Sequence, residues 1–214
     1  PGDKIAAVGI LSNVTVAQEI DLDGLAVAPG LINMLSWATE SLIYDGRSMS
    51  DILQGVTLEV LGEGTSMGPL SDKMKEHRDS ILTNSEIQYD IEWTTLGEYL
   101  QYLENKGVAT NVTSFVGSST LRIYAVGYDN RPATDAEMKQ MKQLLDEAMR
   151  EGAVGMSSAL IYPPATYQST EELIQLSEVV AQHNGMYISH TPREGPPFLA
   201  APDQHIHITP ETGA

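Results

Sequence analysis

The sequence predicts an α/β fold in which parallel strands alternate with helices. Short apolar runs near residues 31, 56, 110, 154 and 186 are typical of strands. Segments with helix start and stop signals separate them. Because parallel strands need crossover connections, this alternation indicates one parallel sheet covered by helices.

The first thirty residues have a different pattern. Short β-type runs at Lys4–Val8, Val14–Ile20 and Leu25–Ala28 are separated by turn residues such as Asp23-Gly24. We therefore expect a small sheet here, which ends at the turn signal Pro29-Gly30.

The first part of the predicted parallel sheet covers residues 31 to 61. Leu31–Leu35 is predicted as a strand, Ser48–Gln54 as a short helix and Val56–Leu61 as the next strand. This second strand ends at Gly62-Glu63-Gly64. Residues 65–93 are polar, and we expect them to form the longest loop of the chain.

Three later helices each begin with a capping box and end at a residue that favours a left-handed conformation. The capping boxes pair Thr95 with Glu98, Thr134 with Glu137, and Ser169 with Glu172, and the stops are Gly107, Gly152 and Asn184-Gly185. The strands predicted after these stops are Val108–Phe115, Ala153–Ser157 and Met186–Ser189. A closed TIM-type (β/α)₈ barrel needs eight strands and about 250 residues. The sequence therefore predicts a partial barrel of about five strands over residues 31–195 and an irregular tail over 196–214.

Composition excludes several classes of partner. The 214 residues carry a formal net charge of −17, which argues against nucleic acid and anionic membranes as partners. No apolar run is long enough to span a membrane, so we expect a soluble cytoplasmic or periplasmic protein. The absence of cysteine excludes disulfides and thiolate ligands. Five strands would leave open sheet edges, so the chain either folds within something larger or pairs with a second copy.

Two residues at predicted strand ends are candidates for a metal site. His190 ends the strand Met186–Ser189, and Glu63 ends the strand Val56–Leu61. The carboxyl ends of parallel strands are where ligands and catalysis occur in such folds, so the two side chains belong to one rim. The alternative is a hydrogen-bonded structural histidine and a loop carboxylate that faces water.

Tyr162 is a candidate for substrate binding, because it follows the fourth strand in a loop fixed by Pro163-Pro164. Its hydroxyl would suit a substrate carbonyl, and the alternative is a tyrosine that only packs. His205 and His207 form a His-x-His pattern, but we predict no supporting structure around it. His77 and His183 are predicted to be surface residues.

Several of these segments together resemble a known family. Val27–Asn33 looks like the entry into the first barrel strand of the amidohydrolase superfamily. Other segments are similar to the N-acyl-D-amino-acid deacylases, in the same order along the chain: Gln54–Thr57, Gly62–Leu70, Phe115–Gly117, Thr120–Arg122, Gly155–Pro164, Ser169–Leu173, Tyr187–His190 and Arg193–Gly195. The resemblance covers about residues 3–195.

This resemblance implies a zinc-dependent hydrolase on a distorted (β/α)₈ barrel, with residues 1–30 in a small β-sandwich. It implies cleavage of the amide of small-molecule N-acyl-D-amino acids. His190 occupies a metal-ligand position of the family, and Glu63 stands where the family places a tight-site ligand, often cysteine. Tyr162 matches a substrate-contacting tyrosine.

The sequence also departs from the family at the first strand. The superfamily normally has His-x-His there, whereas this chain has Leu35-Ser36-Trp37, and Ser118 replaces a histidine after the third strand. At most one zinc site is therefore expected, with Glu63 and His190 as its identifiable ligands, and no catalytic acid or base is assigned. The alternative function is a metal-free, non-catalytic relative that binds a ligand.

Overall fold

The computed structural model describes residues 4–11, 15–83 and 85–190. The strands are β1 (Leu31–Asn33), β2 (Val56–Leu61), β3 (Asn111–Ser114), β4 (Val116–Gly117), β5 (Gly155–Ala159) and β6 (Met186–His190). The helices are α1 (Ser41–Tyr44), α2 (Met49–Ile52), α3 (Asp72–Leu82), α4 (Leu96–Lys106), α5 (Ser118–Ala125), α6 (Asp135–Arg150) and α7 (Thr170–Gln182), with a 3₁₀ turn at Ala165–Tyr167. None of the helices in these ranges is long and apolar enough to cross a membrane.

The strands form two parallel ladders, β1-β2-β3 and β4-β5-β6. Phe115 joins them, since β3 and β4 follow each other with this single residue between them. Its N–H donates to the carbonyl of Leu61 in β2 at 2.9 Å, and Val154 N–H donates to the carbonyl of Ser114 at 3.1 Å. Five strand positions therefore lie side by side in the described residues, as the five apolar runs predict.

The three predicted capping boxes are present at the starts of α4, α6 and α7. These helices pack on the sheet through buried apolar faces. The main members of this core are Trp93, Tyr99, Leu103, Met141, Leu145, Leu173 and Leu176. The buried faces of these helices and the strand residues Leu61, Val116 and Met156 form one apolar core.

Three helices, α1, α3 and α5, are absent from the sequence prediction, and α1 is only four residues long. The predicted loop 65–93 contains α3, whose N-cap Ser71 accepts a hydrogen bond from Met74 N–H. No Glu or Gln follows Ser71 at the third helical position, so the signal that revealed the other helices is missing. The helix α5 begins after Gly117, without any side-chain cap. Its β-branched and hydroxyl residues have low helix propensity, so tertiary packing must stabilise it.

The β-type runs between residues 4 and 28 form no strand in residues 4–11 and 15–28. Ile5, Val8 and Ile10 are 84%, 89% and 98% exposed. A strand is stable only when a neighbouring strand pairs with it, and the described residues supply none here. The turn at Asp23-Gly24 is present, with positive φ at both residues. A β-sandwich built from residues 1–30 stays a prediction.

Candidate metal centre

Glu63 and His190 lie in direct contact, although 127 positions separate them in the sequence. His190 Nδ1 is 2.9 Å from Glu63 Oε1. The exposed fractions of the two side chains are 12% for Glu63 and 30% for His190, so both face a cleft rather than open solvent. The structure therefore brings the two side chains together, and their role in a metal site stays a prediction.

The backbone on both sides of Glu63 is fixed by tight contacts. Gly62 and Gly64 have φ values of 92° and 66°, which side chains rarely allow. The Ser157 hydroxyl donates to the carbonyl of Gly62 and accepts a hydrogen bond from Gly64 N–H at 2.9 Å. Ser119 N–H donates to the carbonyl of Gly64 at 3.1 Å. The Glu63 carboxylate is therefore presented by a rigid turn.

His190 is held by its position at the end of β6, where it pairs with Ala159 of β5. The preceding residue, Ser189, accepts a hydrogen bond from the Ser158 hydroxyl at 2.7 Å. Tyr187 also bonds to the Ser158 hydroxyl, and burial raises the pKa of the Tyr187 phenol. This network between β5 and β6 orients the end of the strand that carries His190.

Tyr162 lies beside the pair, in the loop that follows β5. Its ring centroid is 6.4 Å from that of His190, and its side chain is 61% exposed. Tyr162, Glu63 and His190 all line one cleft of about 410 Å³, together with Trp37 and Tyr128. The structure thus brings together all three site residues that the sequence predicts, and the cleft has the size of a small-molecule site.

At the end of the first strand, Trp37 lines the same cleft, and its side chain is 69% exposed. The Ser36 hydroxyl instead donates to Glu59 Oε2 at 2.6 Å. Glu59 is fully buried and also accepts hydrogen bonds from Ser48 and Thr110. The indole of Trp37 therefore lies near the site at a family ligand position, but it has no lone pair to offer a metal.

The chemistry of the Glu63–His190 pair suits zinc in part. A carboxylate oxygen and an imidazole nitrogen are both common zinc ligands, and their separation of 2.9 Å is short enough for one ion to contact both. A catalytic zinc usually has three protein ligands. Among residues 4–11, 15–83 and 85–190, no three His, Asp or Glu side chains are grouped closely enough to hold a metal. The pair fits as part of a zinc site rather than as a complete one.

Other predicted residues lie elsewhere. His77 is exposed on α3, as predicted. His183 is half-buried at the end of α7, where its Nε2 contacts Asp146 Oδ1 at 2.8 Å. His205, His207 and the segment 191–195 lie outside the described residues.

Sequence reasoning missed the hydroxyl of Ser157. The only available signal was a small polar residue at a strand position where an apolar side chain is usual, and the pattern does not say which neighbour it would bond.

No family-level sequence model matches the chain. Individual proteins do match. The chain is 35% identical to a D-aminoacylase of Alcaligenes xylosoxydans xylosoxydans over 208 residues, which are 97% of this chain and 42% of that protein. It is 32% identical to an N-acyl-D-aspartate deacylase of the same organism, over 97% of this chain and 41% of the relative. The chain therefore spans about two fifths of the length of these relatives.

Solved structures give the same result. A D-aminoacylase structure, described for the functional role of its binuclear metal centre, superposes with a TM-score of 0.86 at 32% identity. The match covers 100% of this chain and 44% of that one. An N-acyl-D-glutamate deacylase of Bordetella bronchiseptica, complexed with zinc and a phosphonate inhibitor, gives 0.74 at 26% identity over 87% of this chain and 39% of that one. Together, the sequence matches and the superpositions show that the chain is homologous, over nearly all of its length, to part of the N-acyl-D-amino-acid deacylases (D-aminoacylases) of the amidohydrolase family.

Proposed function

We propose that the protein hydrolyses the amide bond of N-acyl-D-amino acids and that Glu63 and His190 hold the zinc ion it needs. The contact between Glu63 Oε1 and His190 Nδ1 at 2.9 Å is the observation that carries this proposal. Support comes from the relatives, since one is a D-aminoacylase and another is a deacylase complexed with zinc. A small N-acyl amino acid matches the cleft of about 410 Å³ beside the pair.

Each residue has a distinct task in this proposal. Glu63 and His190, which both line the cleft, would hold the ion. A bound zinc supplies polarisation of the acyl carbonyl and a water of lowered pKa. Tyr162, which is exposed at the cleft wall, donates its hydroxyl to a carbonyl oxygen of the substrate. The apolar rings of Trp37 and Tyr128 line the cleft and limit the access of bulk water.

Metal analysis and kinetics of the full-length protein test the proposal. We expect close to one equivalent of zinc, together with turnover of N-acetyl-D-amino acids that chelation removes. Glu63→Ala and His190→Ala should each lose zinc and turnover. His183→Ala is the matched control, since this histidine contacts Asp146 at the end of α7, away from the cleft, and should leave both unchanged. Wild-type protein that binds less than a tenth of an equivalent of zinc, with variants that turn over normally, would contradict the proposal.

A second candidate function is favoured by the first strand. Leu35 and Trp37 stand at the positions where the amidohydrolase superfamily has two histidine ligands, so the cleft instead serves a metal-free protein that binds a ligand without cleaving it. In that case, chelation should alter neither the melting temperature nor the binding of N-acetyl-D-amino acids. Turnover that depends on added metal would exclude this second candidate.

A further inference from the structure

Two loops form part of the wall of the cleft at the candidate metal centre. The first loop, residues 126–134, follows α5 and contributes Tyr128 to the wall. The second loop, residues 160–169, follows β5 and contributes Tyr162. Both tyrosines are 61% exposed, so their own packing holds them only weakly. The positions of the two rings in the cleft therefore depend on how the two loops are held.

The Arg122 side chain holds the first loop, which carries Tyr128. Arg122 lies on α5 and is fully buried. Its Nη2 donates to the carbonyls of Asp129 and Arg131, at 3.0 and 2.6 Å. Its own carbonyl accepts a hydrogen bond from Gly127 N–H at 3.0 Å. Arg122 therefore binds the backbone on both sides of Tyr128.

The guanidinium of Arg122 also contacts the second loop. Its Cζ atom is 6.0 Å from the ring centroid of Tyr167, at the distance of a cation–π contact. Within this loop, Tyr167 N–H donates to the carbonyl of Pro164, and Thr166 N–H donates to the carbonyl of Tyr162, both at 3.1 Å. These bonds connect the two tyrosines, so a contact at Tyr167 also restricts Tyr162.

Glu172 provides a second connection between the loops. It is 6% exposed on α7, and its Oε1 lies 3.8 Å from Arg122 Nη1. The same Oε1 accepts a hydrogen bond from Ala133 N–H at 2.7 Å, and Oε2 accepts one from Ser169 N–H at 2.7 Å. Because Ala133 belongs to the first loop and Ser169 to the second, the buried ion pair contacts both.

Stability alone does not explain a buried arginine at this point. Removing a charge from water is costly, and an apolar residue of similar volume often serves a core equally well. Among the described residues, Arg122 Nε has no hydrogen-bond partner, and the ion pair with Glu172 is long at 3.8 Å. An apolar residue could not bind two carbonyls and an aromatic ring with one planar group, and an arginine can.

We propose that Arg122 is a positioning residue for the cleft, because it joins the first loop to the second and thereby fixes Tyr128 and Tyr162 beside the metal pair. Arg122 does not contact the substrate, since it is fully buried. Its effect on turnover rests on the proposed function, in which Tyr162 contacts the substrate. The connection between the loops does not depend on that function.

Amide hydrogen exchange of the full-length protein tests the connection. In Arg122→Met, the amides of both loops should exchange about tenfold faster or more, because the hydrogen bonds to the first loop and the contact with Tyr167 are lost. The amides of β2 should change less than about twofold. Arg122→Lys keeps a charge near Glu172 but not the planar group, so both loops should show a smaller increase. The lysine variant keeps the test decisive when the methionine variant does not fold.

Two further variants separate the contacts. Tyr167→Leu removes the ring from the guanidinium, and it should increase exchange in the second loop alone. Arg150→Met is the matched control, since Arg150 is exposed on α6 and pairs with Asp146 at 2.7 Å, so both loops should stay unchanged. Exchange that is unchanged in both loops of the Arg122 variants, or that rises equally in β2, would overturn the inference.

A double-mutant cycle with Tyr162→Phe tests the effect on the site. With zinc and the full-length protein, Arg122→Met should lower kcat/KM for N-acetyl-D-leucine about tenfold, and less than about threefold in the Tyr162→Phe background. The loss shrinks there because the hydroxyl that Arg122 positions is already absent. Equal losses in the two backgrounds would show a purely structural role and would also overturn the inference.

The two proposals fail in different ways. Wild-type protein without turnover of N-acetyl-D-leucine or other N-acetyl-D-amino acids overturns the proposed function. Hydrogen exchange in the two loops then decides the role of Arg122 by itself, since it requires no turnover.

Discussion

The hydroxyl of Ser157 holds the turn that carries Glu63 from both sides. It donates to the carbonyl of the preceding Gly62 and accepts from the N–H of the following Gly64 at 2.9 Å. Ser157 itself is fully buried on β5. The direction of the Glu63 carboxylate is therefore set by a neighbouring strand rather than by Glu63's own contacts alone.

Ser157→Ala should weaken zinc binding about tenfold, because residues that orient a metal ligand typically affect affinity on this scale. The free energy of unfolding should fall by about 1 kcal/mol. Titration against a competing chelator and urea unfolding measure the two effects. Ser177→Ala is the control, since this buried hydroxyl on α7 has no hydrogen-bond partner among the described residues. Unchanged zinc affinity in Ser157→Ala would show that the turn is rigid without the hydroxyl.

Gly62→Ala should destabilise the protein by about 3 kcal/mol, because it combines a positive φ with a steric clash. A Cβ atom at residue 62 would lie 2.2 Å from the carbonyl oxygen of Phe115. Gly107→Ala provides the comparison, since Gly107 has a φ of 80° and a Cβ atom there would meet nothing within 4 Å. Thermal or urea unfolding of both variants separates the two costs. Equal losses would mean that backbone conformation alone is responsible.

Glu59→Leu should destabilise the protein by about 3 kcal/mol, because it leaves buried hydroxyls without their acceptor. Ser36, Ser48 and Thr110 all donate to the Glu59 carboxylate, at 2.6, 2.6 and 2.9 Å. Glu59→Gln keeps an acceptor oxygen of similar size and should cost less. Urea unfolding of the two variants checks the order. A leucine variant as stable as wild type would show that the hydroxyls find other acceptors.

Glu137 should make stability depend on pH in the acid range. The Arg131 guanidinium, followed by Thr134 N–H, lowers the pKa of the Glu137 carboxyl from 4.5 to about 2. A lowered pKa means that its contribution is complete above pH 4.5 and is lost as the pH falls toward 2. Glu137→Gln removes this contribution, so the difference in unfolding midpoint between wild type and variant should shrink across that interval. A difference that stays constant with pH would contradict the assignment.

Much of the fold could be predicted because its signals are local. A capping box requires only the two residues Thr134 and Glu137, and it locates the start of α6 without any tertiary information. The helix α5 has no such local signal, because it lacks a side-chain cap. Its stability depends on tertiary packing, which buries Leu121 and Arg122. The β-type runs between residues 4 and 28 have a local signal but form no strand in the described residues. Their β propensity has no effect without a partner strand.

The candidate site also contains one feature that the sequence could predict and one that it could not. The contact of Glu63 with His190 could be predicted because the carboxyl ends of parallel strands meet at one edge. The hydrogen bonds from Ser157 to both sides of the Glu63 turn could not, since they depend on side-chain direction across distant segments.

The separation of Glu63 and His190 by 127 positions has a consequence for folding. Bringing two residues this far apart in the sequence into contact costs conformational entropy. Contacts between residues closer in sequence form first and reduce this cost. The strands β3, β4 and β5 pair between β2 and β6, so they must be in register before the two side chains meet. The distance between these two residues is thus a late marker of refolding, and a probe placed on the pair would report the completed sheet rather than its early helices.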